Sequence, residues 1–95
     1  MVEFNLLKPI IRKFIPQVRE YCASGKLDEV IREFETVVAA RHDRKQCDAL
    51  ITTEADNREY VSFVIIGDDL KIEILEQMPL SLFVATMVEK FNEMQ

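Results

Sequence analysis

Residues Arg58–Glu76, REYVSFVIIGDDLKIEILE, restrict this chain to a small set of architectures. Successive residues of a β-strand point to opposite faces, so Val61, Phe63 and Ile65 share one side and Tyr60, Val64 and Ile66 the other. Only Ser62 breaks the apolar run, and a strand that is apolar on both faces needs cover on both. The next run alternates: Leu70, Ile72 and Ile74 face one way, Asp69, Lys71 and Glu73 the other. Between the runs, Gly67-Asp68 offers the positive-φ residues of a hairpin turn. A lone hairpin is marginal in water, so the rest of the chain has to bury this one. Leaving Val64 or Ile66 exposed forfeits roughly 1.5–3 kcal/mol each, whereas the outer strand can turn its charged face to water. Helices on both sides of the sheet, or a second subunit over one side, follow. The expectation is a homodimer formed through the sheet or through amphipathic helices.

The remaining elements follow from periodicity. Asn5 suits the N-cap of a first helix reaching about Ser24, with Leu7, Ile11, Phe14, Ile15, Val18 and Cys22 on one side. Pro9 falls in its first turn, Pro16 predicts a kink or a split, and Gly25 closes the element as a C′ residue. Lys26 to about His42 repeats Leu27, Val30, Ile31, Phe34, Val37 and Val38 at i, i+3, i+4, i+7, the pattern of a half-buried helix. Asp28 and Glu29 lie in its first turn and Arg41 and His42 at its end, as the helix dipole favours. Cys47–Thr53 is a strand, and Asp56-Asn57 turns the chain into the hairpin. Pro79 starts a last helix striped by Leu80, Phe83, Val84, Met87, Val88, Phe91 and Met94. The expected order is ααβββα in a single α+β domain, residues 1–95: a three-stranded antiparallel meander packed with an N-terminal helical hairpin and a C-terminal helix.

Charge narrows the function. The net charge of −5 is unevenly spread: residues 1–45 hold nine Lys/Arg against seven Asp/Glu, and residues 46–95 hold three against ten. A negative field over the sheet half repels phosphate backbones, which argues against direct nucleic-acid binding and for a basic protein partner. Two cysteines without a disulfide framework, and an N-terminal apolar run broken by Lys8, Arg12 and Lys13, fit a cytoplasmic protein with no membrane span. The Lys8–Arg12–Arg19 face with Phe4 and Phe14 would also suit a membrane surface, but a core needs the same apolar arc.

Two stretches carry family resemblances. Tyr21, Gly25, Leu27 and Phe34 have the spacing of the turn and second helix of one tetratricopeptide unit. Val30 and Val37 occupy that pattern's small-residue positions and no second copy follows; a lone repeat makes no solenoid. Asp56, followed by Asp69-x-Lys71 on a strand, resembles the metal-binding core of PD-(D/E)xK nucleases. That resemblance implies Asp56 and Asp69 as Mg²⁺ ligands, Lys71 as the lysine that helps activate water, and Glu33 as a further carboxylate. The Pro-Asp pair and the closing strand of that family are missing. His42 and Cys47 do not complete a metal shell, and neither Cys22 nor Cys47 stands beside a base that would make it a nucleophile.

The reading that follows has no catalytic residues, metal or cofactor: a small acidic module that binds another protein as an inhibitor, adaptor or chaperone-like escort. An inhibitor would set carboxylates where phosphates sit, as small acidic viral proteins do, by analogy alone. Its acidic edge is expected at Asp48, Glu54, Asp56, Glu59, Asp68, Asp69, Glu73 and Glu76, steering a basic partner. Phe83, Met87, Phe91 and Met94 are expected to supply apolar affinity, since methionine adapts to irregular partners. The metal-dependent nuclease using Asp56, Asp69 and Lys71 is the alternative.

Overall fold

In the computed structural model the chain is described over residues 3–7 and 25–93. Six elements follow in order: β1 (Glu3–Leu6), α1 (Lys26–Arg41), β2 (Asp48–Thr53), β3 (Glu59–Ile66), β4 (Ile72–Pro79) and α2 (Leu80–Glu93). The class is α+β, and the β2–β3–β4 meander is as expected. The sheet has a fourth strand, however: its order is β1-β2-β3-β4, with every neighbouring pair antiparallel. Asn5 is therefore no helix cap; it lies in β1 opposite Ile51. The first helix, its prolines and the helical hairpin it would form fall outside the described residues.

One face of the sheet carries both helices. Ile51, Val61 and Phe63 project from the strands into a core with Leu27, Val30, Ile31 and Val38 of α1 and Leu80, Phe83, Met87 and Phe91 of α2. Phe34 and Phe63 bracket Phe83, with ring centroids 5.2 and 6.3 Å away in tilted and edge-on geometries. Most of both helical stripes faces this core, but Val37 of α1 and Val88 of α2 are exposed. Gly25 takes the left-handed conformation at φ 79 before α1, and the last helix begins at Leu80, because Pro79 still pairs with Tyr60.

β3 is an interior strand, flanked by β2 and β4, with Val61, Ser62, Phe63 and Val64 all at 1% exposure or less. The turn after it is wider than a two-residue hairpin. Gly67 N–H donates to the Lys71 carbonyl, Leu70 N–H donates to the Gly67 carbonyl, and Leu70 itself sits at φ 63.

A register shift then changes the alternation of β4. Phe63 stands opposite Glu76 while Val64 stands opposite Ile74, leaving Leu75 as the extra, bulged residue. Leu75 packs on the core, and the Glu76 carboxylate reaches the end of α1. Below the bulge, Glu73 also turns toward the helix layer, opposite Ile65, and Ile72 and Ile74 turn away from it. The outermost strand thus shows its apolar side, and not its charged side, to the surroundings.

Candidate functional site

Between α1 and α2 lies a groove of about 360 Å³ floored by Phe34, Phe63 and Met78. Lys90 Nζ donates to Glu33 Oε1 across it at 2.9 Å. That hydrogen bond and the carboxylate charge hold the Lys90 ammonium above its ordinary range. Glu33 is accordingly occupied in tying the two helices together.

The acidic residues do not form one edge. Glu54, Asp56 and Glu59 cluster at the β2–β3 turn, whereas Asp48, Asp68, Asp69 and Glu73 lie toward the β3–β4 turn. Eight residues of β3 separate the two ends, roughly 25 Å at strand rise. Several are also neutralised. Asp56 pairs with Arg58 at 3.2 Å, Asp69 with Lys71 at 3.8 Å, and Glu73 with Arg44 at 3.2 Å. The steering surface read from the sequence is therefore two small acidic ends, within which Asp48, Glu54, Glu59 and Asp68 have no ion pair among the described residues.

The same separation dismantles the nuclease constellation. Asp56 is in one turn and Asp69 and Lys71 are in the other, Lys71 precedes its strand, and Glu33 is on a helix. Metal ligands have to converge within a few ångströms, and these do not. No group of three or more His, Cys, Asp or Glu that could hold a metal exists among the described residues.

The apolar partner residues proved to be core. Phe83 and Met87 are fully buried and Phe91 is 3% exposed. Met94 lies outside the described residues. A stripe at helical spacing serves a core or an interface equally well in sequence, and here the sheet has taken it.

Glu76 is the most heavily engaged carboxylate. Arg41 forks onto it through Nε at 3.0 Å and Nη2 at 2.9 Å, and His42 Nε2 lies 2.9 Å from Oε2, where facing a carboxylate it can only donate. The Arg41 hydrogen bonds, chiefly, hold the Glu76 carboxyl below its usual range; partial burial opposes them and His42 adds to them. A lowered folded value means that the stabilisation is complete above the unfolded pKa of about 4.3 and is lost as pH falls through the folded one. Glu76→Gln is expected to cost about 0.5–1 kcal/mol at pH 7 and almost nothing at pH 3. Urea unfolding of both proteins at the two pH values checks this.

Cys47 is a structural thiol. Its Sγ donates to the Glu35 carbonyl at 3.2 Å, and burial, then the Glu35 and Asp48 charges, push its pKa up. Glu35, which the sequence reading passed over, also accepts the Ala49 N–H at 2.8 Å through Oε2, fixing α1 to the start of β2. Its only signal is a glutamate on the half-buried side of an amphipathic helix.

The feature left without a role by the fold is the other face of the sheet. The register places Phe4, Thr52, Tyr60 and Pro79 in one row across the four strands and Leu6, Leu50, Ser62 and Gln77 in the next. Asp48, Val64 and Ile74 make the third row, and Ile66 and Ile72 the fourth. Phe4 is 36% exposed, Leu6 71%, Ile66 47%, Ile72 39% and Ile74 42%. Through the middle runs a polar ladder that satisfies itself: Thr52 Oγ1 donates to Ser62 Oγ at 2.6 Å and Gln77 Nε2 donates to the same oxygen at 2.9 Å. Asp48 is the only charged residue in the four rows. Both α1 and α2 pack into the opposite core, yet Thr52, Ser62 and Val64 at the middle of this side have no exposure.

Comparison with protein-family models, with curated proteins and with solved structures finds no match for this chain. No helix among the described residues is long and apolar enough to cross a membrane.

Proposed function

We propose that the protein is a non-catalytic interaction module that docks another protein at the β3–β4 end of its sheet, on the face opposite α1 and α2. The observation that carries this reading is the cluster of Ile66, Ile72 and Ile74, neighbours at the β3–β4 end of the sheet and all more than a third exposed. Contiguous exposed apolar surface is what partner sites are made of, whereas singly scattered apolar residues are ordinary. Thr52, Ser62 and Gln77 at the middle of the face hydrogen-bond to one another. The acidic turns flank the face and steer approach; the face supplies affinity.

Site-specific photocrosslinking in the native cells tests the assignment. A photoreactive residue replacing Ile74 is expected to give a protein adduct, and one replacing Val37, 49% exposed on α1, is expected to give none. Adducts at Val37 and none at Ile74 would sink the reading.

A further inference from the structure

We infer that the protein docked at this end of the sheet is a second copy of the same chain, hydrogen-bonded along the outer edge of β4; the inference rests on the docking reading above. Among the described residues β4 ends the sheet. The direction of its backbone groups follows from the turn before it. The Gly67 N–H donates to the Lys71 carbonyl, which makes those two a hydrogen-bonded pair of the β3–β4 ladder. Such pairs alternate with non-hydrogen-bonded ones, so Ile72 and Ile74 aim their N–H and C=O groups away from β3. Past the bulge the alternation resumes with Gln77 and Pro79. Having no N–H, Pro79 suits a position that donates none to β3. All four of these residues are exposed in the single chain, in contrast to Thr52, Ser62 and Val64 at the middle of the sheet.

The bulge selects the occupant. It sets Ile74 and Gln77 three positions apart, whereas a regular strand presents outward groups at every second residue. A regular foreign strand therefore meets one half of this edge and loses the other, which is how bulges guard edges. A second copy carries the same irregularity. Run antiparallel about a two-fold axis between Leu75 and Glu76, it sets Ile74 opposite Gln77 and Ile72 opposite Pro79, each pair occurring twice. That register supplies about six new backbone hydrogen bonds, because Pro79 accepts and cannot donate. It also keeps the faces together, since these four residues lie on the side away from the helices. Charge agrees with it. Glu73 and Glu76 fall opposite Met78 and Leu75, and each is already held by an arginine of its own chain, Arg44 and Arg41. Centring the axis on Glu73 or on Glu76 instead would set like charges face to face. The β3–β4 turn of each copy, with Asp68 and Asp69, then runs toward the start of the other copy's α2, whose first turn has no acidic residue of its own.

Sedimentation of the full chain between about 1 and 500 µM reads the assembly, because dimer content depends on concentration. One added strand pair is a small interface, so the expected result is a reversible dimer with a midpoint of about 10–100 µM. Amide exchange fixes where the copies meet. The Ile72, Ile74 and Gln77 N–H groups should exchange freely in dilute solution and gain about threefold protection or more across the same range. Ile74→Pro removes one outward donor from each copy and none that serves β3. It is expected to weaken dimerisation about 30-fold or more, while circular dichroism of the dilute variant matches the parent. Ile74→Lys keeps the N–H but sets a charge at the centre of the edge twice, and is expected to do the same. Leu6→Asp, on the strand at the opposite edge, should leave the dimer intact. The mass of the Ile74 photoadduct separates the two proposals. An adduct of two identical chains supports the second copy. An adduct with a different protein, a chain that stays monomeric throughout that range, or a dimer whose β4 amides exchange unchanged overturns the edge-paired copy and leaves the docking reading standing. No adduct from Ile74 at all overturns both.

Discussion

Phe83→Ala is expected to remove about 3–5 kcal/mol of stability, at the top of the range for a single side chain. Phe83 is fully buried and sits where α2 meets both the sheet and α1, with Phe63 below and Phe34 beside it. Truncation forfeits the transfer energy of the ring and opens a cavity that neither neighbour can fill without leaving its own contacts. A chain of this length has about 5–15 kcal/mol in total, so the variant stands near the edge of folding. The next residue along supplies the control: Leu82 is 54% exposed, and Leu82→Ala should stay within about 0.5–1 kcal/mol. Urea midpoints read by circular dichroism measure both, with a displacement of about 2 M for Phe83→Ala and little for Leu82→Ala.

Val64→Asp should cost about 3 kcal/mol or more, from the opposite side of the sheet. Val64 is on the face opposite α1 and α2, flanked by β2 and β4, and it has no exposure. A carboxylate there would be desolvated and would stand directly across from Asp48, where like charges destabilise a strand pair. Both effects disfavour ionisation, so the introduced group has a raised folded pKa. Its penalty is therefore greatest at neutral pH and shrinks as the group protonates in acid. Val64→Asn has nearly the same shape without the charge. The gap between the two variants at pH 7, and its closing at pH 4, isolates the electrostatic part; equal midpoints at pH 7 would show that burial of any polar group is the whole effect.

The two substitutions also mark what sequence can and cannot reveal here. Phe83 belongs to a stripe at 3.6-residue spacing, and such periodicity is local: α1, α2 and the apolar double face of β3 could all be seen in it. The role of the stripe was not visible, because Phe83, Met87 and Phe91 would look the same facing a partner or facing their own sheet. β1 escaped notice for a different reason. Four residues, EFNL, are too short to show alternation, and Asn5 suits a helix cap as well as a strand. What makes them a strand is a partner that begins more than forty residues later. The carboxylates were legible as a group and illegible as a map: Asp56 and Asp69 are thirteen positions apart in sequence and a full strand length apart in space. The Leu75 bulge decided which side of β4 faces outward, and nothing in a clean alternation announces a bulge. The docking face is the sum of these last two long-range facts.

The pairing of Glu3 with Thr53 gives the sheet a history as well as a shape. The β2–β3–β4 meander closes through short loops and can assemble as soon as its strands exist, whereas β1 has to wait for a partner some fifty residues downstream. At about 5–20 residues per second of synthesis, that wait is roughly 3–10 s. The earliest of the four strands is thus the last to find its place, and until it does β2 carries an unpaired rim.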